Sequence, residues 1–372
     1  MTNAEKYVKF LKYPKDPKFA ENIRQFQGCP TIAVTKGGRI FMGWYSGGFC
    51  EPHIDNYNLV IMSDDDGETR SDPVCIIEGS RELCYQALDI QLWIDSEGAL
   101  NIFWCQNNAL KADDDHDPNA FIVDGYIFGI DNEHCTWLSK VKNPDADVLE
   151  FTEPRQVFPG FLRCKPLITK TNKILYPAYS QNYDNYLFSV SEDGGKTFKQ
   201  SLGGKRITTD CDEHMFYQKE NGDLVMLART TVGYLAKSVS KDNGETWSET
   251  TLTDIQNPTT RFYIGRTPTG RLILVNNDSS VNNRGKYYGV RTNMTVYLSE
   301  DDGETWKYKK LIDTREDISY PDVDFCDGKI YLTYDRERSG EGSAKEIYFL
   351  KFTEEDIMNP DYRFDIKVVS KA

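Results

Sequence analysis

The chain alternates short polar turns with apolar runs, and six of these pairings share one form. They fall at residues 37–44, 97–104, 171–176, 221–227, 269–275 and 327–334, where turns such as Thr269-Gly270-Arg271 lead into runs such as Leu272-Ile273-Leu274-Val275. Gly and Asn take turn conformations that other residues enter only with strain, and β-branched or aromatic runs bounded by them read as strands. Successive starts lie about fifty to seventy-five residues apart, room for four strands and their loops in each unit. The pattern predicts an all-β chain of six repeated units, a six-bladed β-propeller, forming a single domain over residues 1–372.

A second repeat falls inside the first. Versions of Ser-x-Asp-x-Gly-x-Thr-Trp occur at 63–70, 191–198, 240–247 and 299–306, each after an apolar run such as Met294-Thr295-Val296-Tyr297-Leu298. Ser and Asp bond backbone groups of their own turn, Gly supplies a positive φ, and the closing aromatic packs under neighbouring strands. The octet is therefore read as a hairpin loop. The rival reading, calcium binding by Asp64-Asp65-Asp66-Gly67, needs ligands at alternate positions, a Glu six residues after the Gly, and flanking helices, none of which the sequence offers. Arg70 and Phe198 replace the closing Trp in two copies, and two of the six units have no clear octet.

Composition narrows the picture. Aromatic content of 13% and hydrophobic content of 39% suit a well-packed β protein, and a ring of blades lets 372 residues form one domain without an oversized core. The net charge of −14 argues against nucleic acid and against anionic membranes as partners. No segment approaches the roughly eighteen apolar residues of a membrane span, and Met1-Thr2-Asn3-Ala4-Glu5-Lys6 begins no signal peptide. A cytoplasmic protein is expected, or a secreted one if a leader has been removed. Nine cysteines without C-x-x-C or zinc-like spacing read as reduced, buried thiols. No Gly-rich phosphate loop and no His/Cys constellation is present, so no cofactor and no metal is expected. The acidic run at 113–117, within a candidate insertion at 107–119, reads as a solvated loop.

Propellers bind ligands at the mouth of the central channel, where the inner strands converge. With the turn-led runs taken as those inner strands, five positions stand out. The segment Asp212-Glu213-His214-Met215-Phe216-Tyr217 precedes the fourth run and Arg229 ends it; an arginine carried inward by Val225-Met226-Leu227-Ala228 is costly unless it meets an anion. Arg291 opens the strand before the last octet, and Tyr320-Pro321 sits just before the last run. Asp55 lies in the polar stretch Glu51-Pro52-His53-Ile54-Asp55-Asn56.

In this order the residues resemble a known family. Asp-box octets, Glu213 sixteen residues before Arg229, Arg291 sixty-two further on and Tyr320 twenty-nine beyond that look like a sialidase across nearly the whole chain. The tail, residues 334–357, is similar to bacterial sialidase-like BNR-repeat hydrolases. The resemblance implies an exo-acting glycoside hydrolase that releases a terminal acidic sugar, sialic acid or a relative, with retention of configuration, and its expected partner is a carbohydrate. Tyr320 would be the nucleophile and Glu213 the base that takes the phenolic proton, a task made necessary by a phenol pKa near ~10. Asp55 would be the general acid and later the base that activates water, with Asp89 and Glu51 as alternatives. Arg229, Arg291 and Arg24 would clamp the substrate carboxylate, and His53 and His214 would orient the catalytic groups or contact sugar hydroxyls.

The first blade departs from the family. Sialidases show Arg-Ile-Pro there, whereas this chain has Arg24-Gln25-Phe26-Gln27-Gly28-Cys29-Pro30, with its arginine six residues before the proline. Either a local insertion still delivers Arg24 to the clamp, or that arginine is missing and the sugar is a different one. A glycosidase or lyase of the same fold acting on a uronic acid or rhamnose unit, and a non-catalytic glycan-binding propeller, remain as alternatives.

Overall fold

The computed structural model describes residues 8–113, 117, 120–128, 135–180, 182–209, 211–279 and 290–372. Strands dominate them, and one arrangement recurs six times: four strands side by side in the order they occur along the chain. The first sheet contains Phe26–Val34, Ile40–Gly47, Tyr57–Ser63 and Cys75–Glu78, with Lys9–Lys12 added at its far edge. The second contains Tyr85–Ile94, Leu100–Asn108, Cys135–Val141 and Arg155–Pro159. The third comprises Leu167–Ile168, Ile174–Tyr176, Asn185–Ser191 and Lys199–Lys205, and the fourth His214–Gln218, Leu224–Ala228, Tyr234–Ser240 and Thr251–Gln256. The fifth holds Tyr263–Arg266, Leu272–Asn277, Met294–Ser299 and Tyr308–Asp313, and the sixth Ile318–Cys326, Lys329–Arg336, Glu346–Phe352 and Lys367–Lys371.

The six turn-led runs are the second strands of these sheets. Each run pairs with a strand on either side, and its alternately facing side chains are nearly all buried. The candidate chemistry lies on first strands: His214 opens one, and Tyr320-Pro321, expected ahead of a strand, lies within another. Leu110–Lys111 of the 107–119 insertion joins Tyr126–Phe128 and Phe121–Val123 in a small sheet, while residues 114–116 of the acidic run, and 118–119 after it, lie outside the described residues.

By packing, the chain gathers into two compact units. Unit one comprises residues 1–161, 337–348 and 368–372, and unit two comprises 162–336 and 349–367. In unit one, Trp104 and Trp137 stack with centroids 6.4 Å apart, among Phe41, Val60, Ile77, Leu92 and Ile102. In unit two, Phe188 and Val190 pack on Phe216, Leu224 and Met226. Full burial of such a side chain contributes about 1.5–3 kcal/mol. No disulfide joins any of the nine cysteines.

The octets share one hydrogen-bond plan. In the 240–247 copy, Asn243 and Gly244 both take positive φ, 57° and 89°, the pairing a tight hairpin turn requires. Ser240 Oγ accepts the Gly244 N–H and donates to Asp242 Oδ1, each at 2.8 Å. Asp242 then accepts the Thr246 N–H at 2.9 Å and the Thr246 hydroxyl at 2.5 Å. The same Ser-to-Asp, Gly-to-Ser and Thr-to-Asp bonds close the copies built on Asp65, Asp193 and Asp301. Trp247 packs against Phe188 and Phe216, and Phe198 against Tyr176. Arg70, which lacks the aromatic, pairs instead with Glu21. Each octet joins the third strand of its sheet to the fourth. In the sixth sheet that place is taken by a helix, Glu354–Met358, closed by a Thr353–Asp356 capping box.

These turns make acid stability a readout of the octets. Bonds from Thr and Ser hold the carboxyls of Asp65, Asp242 and Asp301 down at about 2 and lower Asp193 as well. Because the folded value lies below the unfolded one, near 3.9, their contribution is complete above about pH 4 and is lost as pH falls toward 2. The midpoint of urea unfolding is expected to fall across that window, and Asp301→Asn is expected to flatten part of the fall. An unchanged pH slope in the variant would contradict the assignment.

Candidate active site

In unit two, the hairpin of the fourth sheet explains the sixteen-residue spacing between Glu213 and Arg229. His214 pairs with Ala228, and the Arg229 N–H donates to the Glu213 carbonyl at 2.9 Å, so the two residues face each other one step beyond the ladder. Their side chains also meet: Arg229 Nη1 donates to Glu213 Oε2 at 2.5 Å. Both groups are buried, Glu213 at 0% and Arg229 at 1% exposure.

Tyr320 reaches the same place from the first strand of the sixth sheet. Register jumps between Ser319, opposite Asp335, and Asp322, opposite Thr333, leaving Tyr320-Pro321 as a bulge in which Tyr320 has φ +59°. A proline is tolerated there because no ladder bond is required of its nitrogen, while a left-handed tyrosine costs on the order of 1–3 kcal/mol and persists only where its surroundings hold it. Arg261 does the holding. Its Nη2 donates to the carbonyls of Tyr320 and Pro321 at 3.0 and 3.2 Å, and its Nη1 donates to the Arg163 carbonyl at 2.8 Å.

The phenol is surrounded by guanidinium groups. Its oxygen accepts from Arg229 Nη1 at 3.2 Å and Arg163 Nη1 at 3.3 Å, and Arg163 Nη1 also lies 3.4 Å from Glu213 Oε1. The guanidinium carbons of Arg261, Arg163 and Arg291 stand 4.9, 5.1 and 5.5 Å from the ring centre. Arg291, partly exposed, is anchored by the Thr259 carbonyl at 3.0 Å. Burial alone would raise the Glu213 carboxyl, but the charges of Arg229 and Arg163 outweigh it and hold the group at about 2. Glu213 is therefore an anion at every physiological pH.

The structure thus brings together four residues singled out in the sequence, Glu213, Arg229, Arg291 and Tyr320, and adds Arg163 and Arg261. Both additions stand a few residues ahead of a first strand, as Glu213 does. A search keyed to the second strands passed over them.

His214 lies elsewhere than expected. Its ring is fully buried between Tyr186 and Phe216, at 5.6 and 5.3 Å, and Nδ1 donates to the Asp212 carbonyl at 2.7 Å. Burial pushes it down to about 4, so it is a neutral packing residue and not a sugar contact.

The remaining candidates belong to unit one. Arg24, His53 and Asp55 line a cleft of about 750 Å³ together with Phe49, Arg81 and Asp124. Arg81 grips Asp55 with Nε and Nη2, each at 2.5 Å, and Nη2 also reaches Asp124 at 2.5 Å. This grip is the main reason the Asp55 carboxyl lies below its ordinary range. His53 accepts the Asp55 N–H on Nδ1 at 3.2 Å, and burial pushes its own value down. Arg24 is committed to local structure: it donates to the Phe19 carbonyl at 3.0 Å and Ser370 Oγ at 3.3 Å and lies on Trp44. Two residues before Pro30 the chain has Gly28, and a Cβ there would stand 2.6 Å from Arg338 Cδ. Arg338 fills that space and donates to Glu51 at 3.2 Å.

Two groups of side chains among the described residues place three ligating atoms within 4.8 Å of one another, Cys29 with Glu51 and Asp89, and His53 with Asp55 and Asp124. In each, an arginine already meets a carboxylate, Arg338 on Glu51 and Arg81 on Asp55 and Asp124. Cys29 and Asp89 have φ of 56° and 55° at bulges in the first strands of their sheets, as Tyr320 has in its own.

Repeated four-strand sheets, four of them with an octet turn between their last two strands, and a buried Tyr, Glu and arginine constellation define a sialidase-like BNR-repeat fold. The sequence pattern of the BNR repeat-like domain matches residues 135–332, more than half of the chain, and the protein belongs to that family. Solved structures agree on the fold. A protein of unknown function from Dyadobacter fermentans superposes with a TM-score of 0.63 at 15% identity, over 90% of this chain and 96% of its own. The Hadza microbial sialidase Hz136 gives 0.64 at 15%, over 89% and 66%. The intramolecular trans-sialidase from Ruminococcus gnavus, solved with oseltamivir carboxylate, gives 0.63 at 15%, over 88% and 94%. Among curated proteins, none matches the chain.

Proposed function

We propose that the protein is a six-bladed β-propeller with Asp-box turns that hydrolyses a terminal acidic sugar from a glycan, with retention, through Tyr320. Six successive sheets of four strands suit six blades. The observation that carries the chemistry is that the Tyr320 oxygen and the buried Glu213 carboxylate share the same two guanidinium nitrogens.

In the proposed reaction Tyr320 gives its proton to Glu213 and its oxygen bonds to the anomeric carbon. The glycosidic C–O bond breaks as the leaving oxygen takes a proton from an acid. Water, deprotonated by that same residue, then cleaves the tyrosyl–sugar bond, and Tyr320 recovers its proton. A neutral nucleophile suits a substrate that carries a carboxylate beside the reacting carbon, the recognised exception to two-carboxylate glycosidases. The resemblance assigns the acid to Asp55. Its grip by Arg81 favours the ionised form, so Asp89 and Glu51 stand beside it as proton donors, and the three Asn or Gln variants separate them.

Gly28 supports a second reading. Where the family's arginine is expected the chain has no side chain at all, which favours an acidic sugar other than sialic acid, such as a uronic acid. Incubation with fluorogenic sialoside, uronide and rhamnoside tests both readings. Release from the sialoside that Tyr320→Phe removes is expected; release only from the uronide would transfer the assignment to the second reading. Release from none would overturn the hydrolase.

A further inference from the structure

We propose that Arg163 is a catalytic residue of the Tyr320 site, stabilising the negative charge that the phenolic oxygen acquires as its proton leaves. The inference rests on the tyrosine-nucleophile reading above and adds a second donor to the nucleophile.

One guanidinium nitrogen of Arg163 lies 3.3 Å from the phenolic oxygen and 3.4 Å from Glu213 Oε1. An amino group of that kind carries two protons, so it can serve both acceptors at once. Its position relative to Tyr320 is fixed by Arg261, which donates to the backbone carbonyls of both residues. Arg163 is buried, and in such surroundings a preorganised donor is worth far more than in water. Among the described residues, the charged groups that meet the phenol or its immediate partners include Glu213, Arg163, Arg229, Arg261 and Arg291.

Glu213 makes this donor necessary. A carboxylate held by two guanidinium groups is a reluctant proton acceptor, poorly matched to a phenol whose ordinary value is near ~10. Charge developing on the phenolic oxygen must then be stabilised directly. Arg163 and Arg229 both donate to that oxygen. In this arrangement the phenolic proton still moves to Glu213, and the two guanidinium groups lower the free energy of the phenolate it leaves behind. A lysine at 163 supplies one point charge on a flexible stem and reproduces the planar fork only in part.

The test uses Arg163→Met and Arg163→Lys in the full chain, with melting curves confirming that both fold. On the fluorogenic glycoside that the protein cleaves, Arg163→Met is expected to lower kcat about 100-fold, with KM changed less than about threefold, and Arg163→Lys to recover part of the loss. Turnover within about threefold of the parent while Tyr320→Phe is inactive would overturn the role of Arg163 and leave the tyrosine mechanism standing. Full turnover by Tyr320→Phe would sink both. A second readout needs no substrate. The alkaline rise in absorbance at 295 nm that Tyr320→Phe removes is expected to move about one pH unit upward in Arg163→Met, and a rise that does not move overturns the proposal.

Discussion

Tyr320→Phe is expected to reduce turnover by about 10³-fold or more while the protein keeps its fold. Removal of a nucleophile takes away the covalent route and leaves only binding and charge stabilisation. The ring remains between Arg163, Arg261 and Arg291, so packing and the cation–π contacts survive. What is lost is one hydroxyl acceptor for Arg163 and Arg229, worth about 1–3 kcal/mol. A protein of 372 residues would register this as a few degrees in Tm. Equal kcat in the variant and the parent removes the tyrosine mechanism. A collapsed melting curve would instead show that the phenol is structural.

Arg229→Met carries the largest expected cost in stability, about 3–5 kcal/mol, because it strands a fully buried carboxylate. Arg163 still touches Glu213, at 3.4 Å, which places the effect toward the lower end. The sign of the pH dependence follows from Glu213. Its carboxyl is held at about 2, below the ordinary value of about 4.3, so its contribution is present above about pH 4 and lost as pH falls toward 2. In Arg229→Met that contribution shrinks, and the variant should differ most from the parent near neutral pH and least near pH 2. The double variant Glu213→Gln, Arg229→Met should lose less than the two single losses combined, since the first change removes the stranded charge. Additive losses measured by urea unfolding would show that the pair does not act as a unit.

Much of this was legible in the sequence wherever the information was local. The octets are visible because Ser, Asp, Gly and Thr bond within one turn and depend on nothing distant. The Glu213–Arg229 spacing is visible because it is the register of a single hairpin. Tyr320-Pro321, read as lying just ahead of a strand, proves to be a bulge inside one. Arg163 and Arg261 left no such trace, since their partners lie 50 to 157 residues away. The Arg81 grip on Asp55 spans 26 residues and joins two loops, so nothing at Asp55 announces that its carboxylate is already engaged. His214 misled for a physical reason: an imidazole beside a catalytic candidate looks functional until the aromatic rings of two strands are seen closing over it.

The left-handed bulge position that Tyr320 occupies recurs at Cys29 and Asp89 in the first strands of two other sheets. At each of these places two residues stand outside the paired register of their strand, so the neighbouring ladder bonds do not run through them. A repeated unit of this kind works as a rack of interchangeable sockets: a phenol, a carboxylate and a thiol occupy equivalent positions in copies of one design. Chemistry in such a fold can be rewritten one residue at a time without touching the hydrogen bonds that keep the sheet together.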